Sequence, residues 1–306
     1  AFVASNSGRT LASINPADET ALSEVARGDA ADVDAAVRAA RKAQPAWAAL
    51  PAKERGKYLF RIARRLQERA REFAILETKD NGKPIRESRD VDIPLAAAHF
   101  FYHAGWADKL AHAFPGATPK PVGVCGQIIP WNFPLLMAAF KIAPALATGC
   151  SAVIKPAEQT PLSTLRLAEL IHEAGVPAGV LNVVPGYGET AGQAVGLHQD
   201  IDTVSFTGST EVGRMFMRYS GDSNLKVVGL ELGGKSPFIV LDDAILDDDL
   251  IDHAAMAAFW NGGQNCSANM RQLIAAPLVE EFTSRIVARV KAFKLGDPLD
   301  PATDIG

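Results

Sequence analysis

From Pro121 to Leu232 the chain alternates short apolar runs with stretches of helical periodicity. Short apolar runs bounded by turn signals are typical of buried strands. The pattern predicts a helix after each of the first four strands, and a parallel sheet of βαβ units that binds ligands at its carboxyl edge. The predicted strands are VGVCGQII (122–129), SAVI (151–154), LNVV (181–184), TVSF (203–206) and KVVGLEL (226–232).

The beginning of the chain has a different pattern. Up to Gly28 it reads as an extended lead-in with a turn signal at Asn15-Pro16. Apolar residues at helical spacing then predict amphipathic helices from Asp29 to the stop signal Asn81-Gly82, and a further helix around 94–110.

A second α/β set follows the central one. Strands are predicted at 237–241 and 272–276, and helices at 248–260 and 279–293. We place a domain boundary at the paired glycines 233 and 234. The predicted domains are a nucleotide-binding domain with an N-terminal helical layer (1–232) and the first part of a catalytic domain (233–306), so we expect the chain to be truncated.

Composition narrows the class of protein. The chain has 306 residues, 48% hydrophobic content and a formal net charge of −4, with its basic residues scattered. It therefore has no electrostatic footprint for nucleic acid or an anionic membrane, and no apolar run approaches the roughly 18 residues of a membrane span. Three cysteines, Cys125, Cys150 and Cys266, fit reduced thiols and a cytoplasmic location. We expect small-molecule partners.

Three residues could carry chemistry. Cys266, in FWNGGQNCSANMR (259–271), reads as a nucleophile, although a free cysteine is more often a small buried hydrophobe. Glu231 ends an apolar strand, where partial desolvation should raise its pKa towards that of a general base; the alternative is an outward-facing strand residue. Asn132, in a turn bracketed by prolines, offers a rigid amide or simply forms the turn.

Other positions suggest ligand binding. The glycine-rich turns GYGETAG (186–192) and FTGSTEVG (206–213) could cradle a dinucleotide or serve only as turns. Lys155 and Glu158 follow a predicted strand, where a carboxylate suits ribose hydroxyls, but both could equally be solvated. His99 and His103 have a metal-compatible spacing without a third ligand, so aromatic packing is favoured and no metal site is predicted.

Five stretches occur together and in order, and they carry a resemblance that spans the chain from about Ile14 to Gly306. Together they strongly resemble the NAD(P)-dependent aldehyde dehydrogenase superfamily, which implies an α/β fold with a Rossmann-type parallel sheet. The stretches are GQIIPWNFP (126–134), KPAEQTP (155–161), FTGSTEVG (206–213), ELGGKSP (231–237) and GGQNCSAN (262–269).

The resemblance implies roles for individual residues. Cys266 becomes the nucleophile and Glu231 the general base, with the Asn132 side chain and the Cys266 N–H as oxyanion donors and Lys141 near the site. Glu158 favours NAD over NADP, because its charge would repel a 2′-phosphate. The residues implied to surround the dinucleotide are Ile128, Ile129, Pro130, Trp131, Asn132, Lys155, Glu158, Gly188, Phe206, Gly208, Ser209, Val212, Glu231, Leu232 and Gly233.

The chain also departs from that family's pattern. The segment Leu110–Lys120 is shorter than the oligomerisation arm of many members, which weakens the expectation that the protein forms homo-oligomers. The short segment also resembles that of a subfamily in which two such modules are fused in tandem. The chain ends before the Glu-x-Phe-Gly-Pro motif and the rest of the catalytic domain. A catalytically silent, nucleotide-binding fragment is therefore the main alternative to an active enzyme, and a cysteine hydrolase without a redox step is the remaining one.

Overall fold

The structure is a computed structural model that describes residues 2–306 and contains two short sheets and one central sheet. The strands are β1 (Thr10–Ile14), β2 (Ala21–Ala26), β3 (Val124–Ile128), β4 (Ser151–Lys155), β5 (Leu181–Val183), β6 (Thr203–Gly208), β7 (Val227–Leu232), β8 (Pro237–Val240) and β9 (Arg271–Ile274).

Helices connect and cover these strands. They are α1 (Ala30–Ala49), α2 (Ala52–Glu68), α3 (Ala70–Asn81), α4 (Ile85–Glu87), α5 (Ile93–Trp106), α6 (Leu110–Ala113), α7 (Pro134–Ala147), α8 (Leu162–Glu173), α9 (Gln193–Leu197), α10 (Thr210–Gly221), α11 (Asp248–Phe259) and α12 (Val279–Lys291). Wider π turns at Ser88–Asp92 and Gly188–Gly192 lead into α5 and α9.

The central sheet is fully parallel and has the strand order β5-β4-β3-β6-β7. The predicted fold class, a Rossmann-type parallel sheet, is confirmed. The chain leaves β3 towards β4 on one side and leaves β6 towards β7 on the other, so the strand order reverses between β3 and β6. Parallel sheets bind ligands at such a switch point, outside the carboxyl ends of the strands.

Both faces of the central sheet are covered, which explains why its inner strands are apolar without alternation. One face packs against α7 and α8, with Ile142 of α7 and Ile154 of β4 fully buried. The helical layer, formed by α2 to α5, covers these two helices in turn. The opposite face packs against α1, α9 and α10, where Val153 and Val204 lie in a second cluster. All residues of β3 and β4 are buried as a result.

The edge strand β7 behaves differently. Its Val228, Leu230 and Leu232 side chains pack towards the second cluster, whereas the alternate positions, among them Glu231, are exposed. The expectation that Glu231 is desolvated by its apolar neighbours is therefore wrong for this chain. Alternation places the carboxylate on the opposite face from those neighbours, and within residues 2–306 that face of β7 is open.

The N-terminal region is more regular than an extended lead-in. Strands β1 and β2 pair antiparallel around the predicted turn, with Leu11 opposite Val25. Helix α1 then begins at an Asp29 cap whose carboxylate accepts the Ala31 N–H, and α3 ends at Gly82 with a left-handed φ of 89°. The predicted stop signal is thus confirmed.

Residues beyond the central sheet form a smaller α/β unit. Strands β8 and β9 pair in parallel, and a separate apolar cluster from 238–286 joins them to α11 and α12. This unit contacts the helical layer through an Ile85 N–H that donates to the Pro298 carbonyl at 2.7 Å, and through Trp260, which packs on the main core. In residues 2–306, every helix falls short of the length and apolarity needed to cross a membrane.

Candidate active site

The predicted binding residues meet at the carboxyl edge of the central sheet, meaning the residues that directly follow β3 to β7. The PWNFP turn (130–134) follows β3, and Lys155 ends β4. Gly188 begins the π turn after β5, Ser209 follows β6, and Gly233 follows β7. Residues that are distant in sequence thus lie along one edge, because each crossover returns the chain to the same side of the sheet.

Lys155 and Glu158 form an ion pair at this edge. The Lys155 ammonium donates to the Glu158 carboxylate at 2.6 Å, and its own side chain is almost fully buried, whereas that of Glu158 is 28% exposed. The buried lysine fixes one carboxylate oxygen in place, and the Glu158 side chain stays partly exposed to solvent. This arrangement suits recognition of vicinal hydroxyl groups, since the pair offers both a donor and an acceptor.

The turn between β6 and α10 has the features of an anion-binding helix start. Ser209 caps α10, and its hydroxyl accepts the Val212 N–H at 3.2 Å. The first amides of a helix otherwise lack internal partners, and the helix dipole makes this end positive. A Cβ at Gly208 would lie 2.7 Å from the buried Phe206 ring, so a side chain there would have to displace that ring.

The predicted cofactor residues present different groups to this edge. Ile128, Ile129 and Phe206 have buried side chains, so they offer backbone atoms at the strand ends. Trp131 is 40% exposed and Val212 is 37% exposed, so both offer apolar side-chain surface. The carboxyl edge therefore combines backbone amides, an ion pair and apolar surface, a set of groups that fits a dinucleotide.

Helix α3 of the helical layer holds the PWNFP turn through two hydrogen bonds. The Asn81 side-chain amide donates to the Trp131 carbonyl at 2.6 Å, and the Leu135 N–H at the start of α7 donates to the buried Glu77 carboxylate at 3.2 Å. Because α3 anchors the turn on both sides of Asn132, the backbone that carries the Asn132 side chain is held by the scaffold.

The structure brings Asn132 to the loop that carries Cys266. The Asn132 side-chain amide donates to the Gln264 carbonyl at 2.8 Å. Its second N–H hydrogen remains available as a donor. The two predicted oxyanion donors, the Asn132 amide and the Cys266 backbone N–H, therefore lie in segments that contact each other directly.

Cys266 itself is exposed, whereas Cys125 and Cys150 are buried. Its thiol lies 3.7 Å from the Asn265 side-chain oxygen, which also accepts the Ser267 N–H at 3.1 Å. Asn265 thus spans the cysteine with an Asx turn and orders the backbone around it. The Cys266 thiol is therefore accessible to a substrate carbonyl and lies on an ordered turn.

The turn that follows Glu231 reaches residues 260–270, the segment that carries Cys266 and is here called the cysteine loop. A Cβ at Gly234 would be 3.7 Å from the Cys266 carbonyl oxygen, so the turn after β7 contacts the cysteine loop. Lys141, on α7, is buried, and its ammonium donates to the Ser205 hydroxyl at 2.8 Å. Burial lowers the pKa of Lys141 to about 8, and the charge of Glu231 acts in the opposite direction.

Buried carboxyl groups lie beneath the site in the helical layer. Burial raises the pKa of Glu77 to about 7, and it raises the pKa of Glu87 to about 7 as well. The charge of Lys83 acts against both shifts, but this lysine is committed to a fully buried ion pair with Asp92 at 2.6 Å. The layer therefore holds more buried carboxyls than cations.

The two histidines singled out by their spacing pack as aromatic groups. The ring centroids of His99 and His103 are 6.2 Å apart, and His99 also makes an edge contact with Phe140. Residues 2–306 contain no group of three or more histidine, cysteine or acidic side chains arranged to hold a metal ion.

Sequence reasoning missed three residues that contact the predicted site. Glu87 accepts the Asn261 N–H with both carboxylate oxygens, at 3.2 and 3.1 Å, and the Asn261 side chain donates to the Asn132 carbonyl at 3.0 Å. The Ser205 hydroxyl accepts a hydrogen bond from the Lys141 ammonium. Only Asn261 had a local signal, since the sequence Asn-Gly-Gly is typical of left-handed turns; the partners of Glu87 and Ser205 depend on the tertiary fold.

Comparison with known proteins found a matching family and similar sequences. The model of the "Aldehyde dehydrogenase family" matches residues 2–306. Aminoacetaldehyde dehydrogenase of Pseudomonas aeruginosa is 47% identical over 310 residues, which cover 98% of this chain and 62% of that protein. The mitochondrial aldehyde dehydrogenase of Homo sapiens is 47% identical over 311 residues, which cover 98% of this chain and 60% of that protein.

Solved structures give the same result. PnpE in complex with nicotinamide adenine dinucleotide superposes with a TM-score of 0.96 at 46% identity, covering 100% of this chain and 64% of that one. An aldehyde dehydrogenase from Bacillus cereus in complex with NAD+ gives a TM-score of 0.95 at 43% identity, again covering 100% and 64%. The chain spans 60 to 64% of the length of these four relatives. With a family match along nearly its whole length, the chain belongs to the aldehyde dehydrogenase family.

Proposed function

We propose that the protein to which this chain belongs oxidises an aldehyde to a carboxylic acid with NAD, through a thioester on Cys266. The observation that carries the proposal is the contact between the PWNFP turn and the cysteine loop, where the Asn132 amide donates to Gln264 two residues before Cys266. An exposed thiol and an amide donor are thereby held together beside a dinucleotide-compatible sheet edge. Two of the neighbouring structures are complexes with NAD, which supports the choice of cofactor.

The first chemical step belongs to Cys266. Its thiolate attacks the aldehyde carbon, and the carbonyl oxygen becomes an oxyanion that needs hydrogen-bond donors. The free N–H of the Asn132 amide and the backbone N–H of Cys266 would donate to this oxygen. Bound NAD supplies a hydride acceptor, so that loss of hydride from the former aldehyde carbon leaves a thioester on the cysteine.

The second step requires water and a base. Glu231 would accept a proton from water, and the resulting hydroxide attacks the thioester, releasing the acid and regenerating the Cys266 thiolate. Lys141 lies close enough for its charge to interact with that of Glu231, and its pKa of about 8 allows it to hold or release a proton near neutral pH. We include it as a group that sets the protonation of this region.

The cofactor would lie along the carboxyl edge. Lys155 and Glu158 would bind the adenosine ribose, the amides at the start of α10 would face the pyrophosphate, and the surfaces of Trp131 and Val212 would pack on the rings. The remaining predicted residues would contact the cofactor through backbone atoms; they are Gly188, Phe206, Gly208, Leu232 and Gly233.

Three further expectations remain proposals. We divide the chain into a nucleotide-binding domain (1–232) and part of a catalytic domain (233–306), a division supported by the separate apolar cluster of 238–286. We propose a weakened tendency to form homo-oligomers, because the short 110–120 segment forms one turn of helix and exposed chain. The sparse, unpaired cysteines support a cytoplasmic location.

A second candidate is a polypeptide that binds nucleotide without turnover. Glu231 and Cys266 are both exposed in residues 2–306, and thioester chemistry is favoured by a water-poor site. An assay of NADH formation separates the two candidates. With NAD and a panel of small aliphatic and aromatic aldehydes, the proposed enzyme produces NADH and the matching acid. NAD binding by calorimetry without NADH from any aldehyde would instead favour the silent candidate.

The preference for NAD over NADP is expected to depend on Glu158. The Glu158 side chain is partly exposed beside Lys155, where a 2′-phosphate would meet its negative charge. Glu158→Gln should weaken use of NAD and narrow the NAD-to-NADP ratio of kcat/KM by about tenfold, since one charge contact is worth about 1.4 kcal/mol. Glu169→Gln, a partly exposed helix carboxylate bonded to Arg166, is the matched control. Equal use of NAD and NADP by the unaltered protein would refute the preference.

A further inference from the structure

A continuous set of hydrogen bonds links the helical layer to the cysteine loop. Glu87 ends α4 and is only 2% exposed, and both of its carboxylate oxygens accept the Asn261 backbone N–H, at 3.2 and 3.1 Å. Burying a carboxyl group is unfavourable unless it is hydrogen-bonded. The position of Asn261, at the start of the cysteine loop, is therefore fixed by a carboxylate of the helical layer.

Asn261 carries the link onward. Its side-chain amide donates to the Asn132 carbonyl at 3.0 Å and to the Gln264 carbonyl at 3.2 Å. The Asn132 amide donates to the same Gln264 oxygen at 2.8 Å. Asn261 is thus bonded to the turn that carries the predicted oxyanion donor and to the loop that carries the predicted nucleophile.

The backbone at Asn261 indicates why the side chain matters. Its φ is +54°, and Gly262 and Gly263 follow with φ of +64° and +75°. Glycine adopts this left-handed conformation more readily than any residue with a Cβ, including asparagine. The conformation alone would be satisfied by glycine at all three positions. The asparagine is therefore explained by the hydrogen bonds of its buried side chain.

We propose that Glu87 and Asn261 are positioning residues that set the Asn132 amide against Cys266. The inference rests on the proposed function, in which those two groups act on the same carbonyl. Oxyanion donors are effective only when they are held close to the position of the developing charge, and a displacement of about 1 Å can lower a rate by about a hundredfold. Glu87 fixes the backbone of Asn261, and Asn261 fixes the separation of the turn and the loop.

The decisive comparison is between two substitutions of Asn261. Asn261→Gly keeps the left-handed backbone and removes the amide, and we expect the rate of the first NADH turnover to fall about tenfold to a hundredfold while the KM for NAD is unchanged. Asn261→Asp keeps the size but places oxygen opposite the carbonyls of Asn132 and Gln264, so its rate should fall further. Glu87→Gln places an amide hydrogen near the Asn261 N–H and should reproduce part of the loss.

Thr78→Val is the matched control. Thr78 lies in the same layer, and its hydroxyl shares a buried hydrogen bond of 2.9 Å with Ser88. Loss of this hydrogen bond in Thr78→Val should lower the melting temperature without changing the first-turnover rate. Unchanged first-turnover rates in Asn261→Gly and Asn261→Asp, or an equal loss in Thr78→Val, would overturn the proposal.

Failure of the proposed function gives a different result. In that case the unaltered protein forms no NADH, or Cys266→Ala still forms it. Amide hydrogen exchange of residues 260–266 then tests the link itself, because faster exchange in Asn261→Gly and Glu87→Gln, but not in Thr78→Val, supports positioning of the loop. Unchanged exchange in both variants refutes it.

Discussion

Cys266→Ala is expected to abolish NADH formation, with a loss of at least about a thousandfold, and to leave NAD binding intact. Removal of a nucleophile eliminates the covalent intermediate, and what remains is the small effect of binding and electrostatics. The thiol is exposed on an ordered turn and its one hydrogen-bond contact is to Asn265, so its removal should not disturb the core. Steady-state absorbance of NADH and calorimetry with NAD measure the two effects separately.

The other cysteines provide the control for this experiment. Cys150→Ala removes a buried thiol that packs with Ala145 and directly precedes β4, at the end of the strand opposite to the carboxyl edge. It should cost some stability, as small core deletions do, and retain turnover. Turnover by Cys266→Ala comparable to that of the unaltered protein would remove Cys266 from the mechanism.

Glu231→Gln is expected to separate the two halves of the reaction. The first NADH molecule should form at a near-normal rate, because attack by the thiolate does not need this carboxylate. Subsequent turnover should fall by about 10²–10⁴-fold, the usual contribution of a general base. Stopped-flow absorbance would then record a burst of about one NADH per active site followed by a slow phase.

Hydroxylamine gives this prediction a chemical check, since a strong nucleophile attacks a thioester without a base. Added after the burst, when limiting aldehyde has been consumed and cannot form an oxime, it should cleave the thioester of Glu231→Gln, releasing the Cys266 thiol and the hydroxamate of the substrate acid. Glu24→Gln is the matched control, because Glu24 is likewise an exposed strand glutamate but lies in the N-terminal hairpin. A proportional loss of burst rate and steady-state rate would show that Glu231 acts before the thioester forms.

Much of the fold could be predicted because its signals are local. The apolar runs that became β3 and β4 are buried on both faces, so their residues are mostly apolar and easily recognised. The stop signal at Gly82 is a single left-handed residue at a helix end. The pairing of β1 with β2 was not predicted, because it joins residues such as Leu11 and Val25 whose contact depends on the whole hairpin.

The candidate site likewise has some features that the sequence predicted and others that it did not. Motif residues such as Asn132 and Ser209 lie where strand ends predicted them, because a parallel sheet gathers its strand ends at one edge. The exposure of Glu231 was missed, since it depends on which face of an edge strand is covered. The partnership of Glu87 with Asn261 spans 174 positions and leaves no periodic trace in the sequence.

The buried carboxyls of the helical layer also affect how the chain responds to pH. Glu77 and Glu87 ionise with a pKa of about 7 in the folded chain, against an ordinary value of 4.5. Between these values the folded chain holds protons that the unfolded chain has released, so folding takes up protons. Each carboxyl then contributes up to about 3 kcal/mol of stability below pH 4.5, lost progressively as the pH rises to 7. Protonation of these two carboxyls therefore stabilises the layer beneath the candidate site in mild acid, even though Lys83 and Asp92 form a buried ion pair in the same layer.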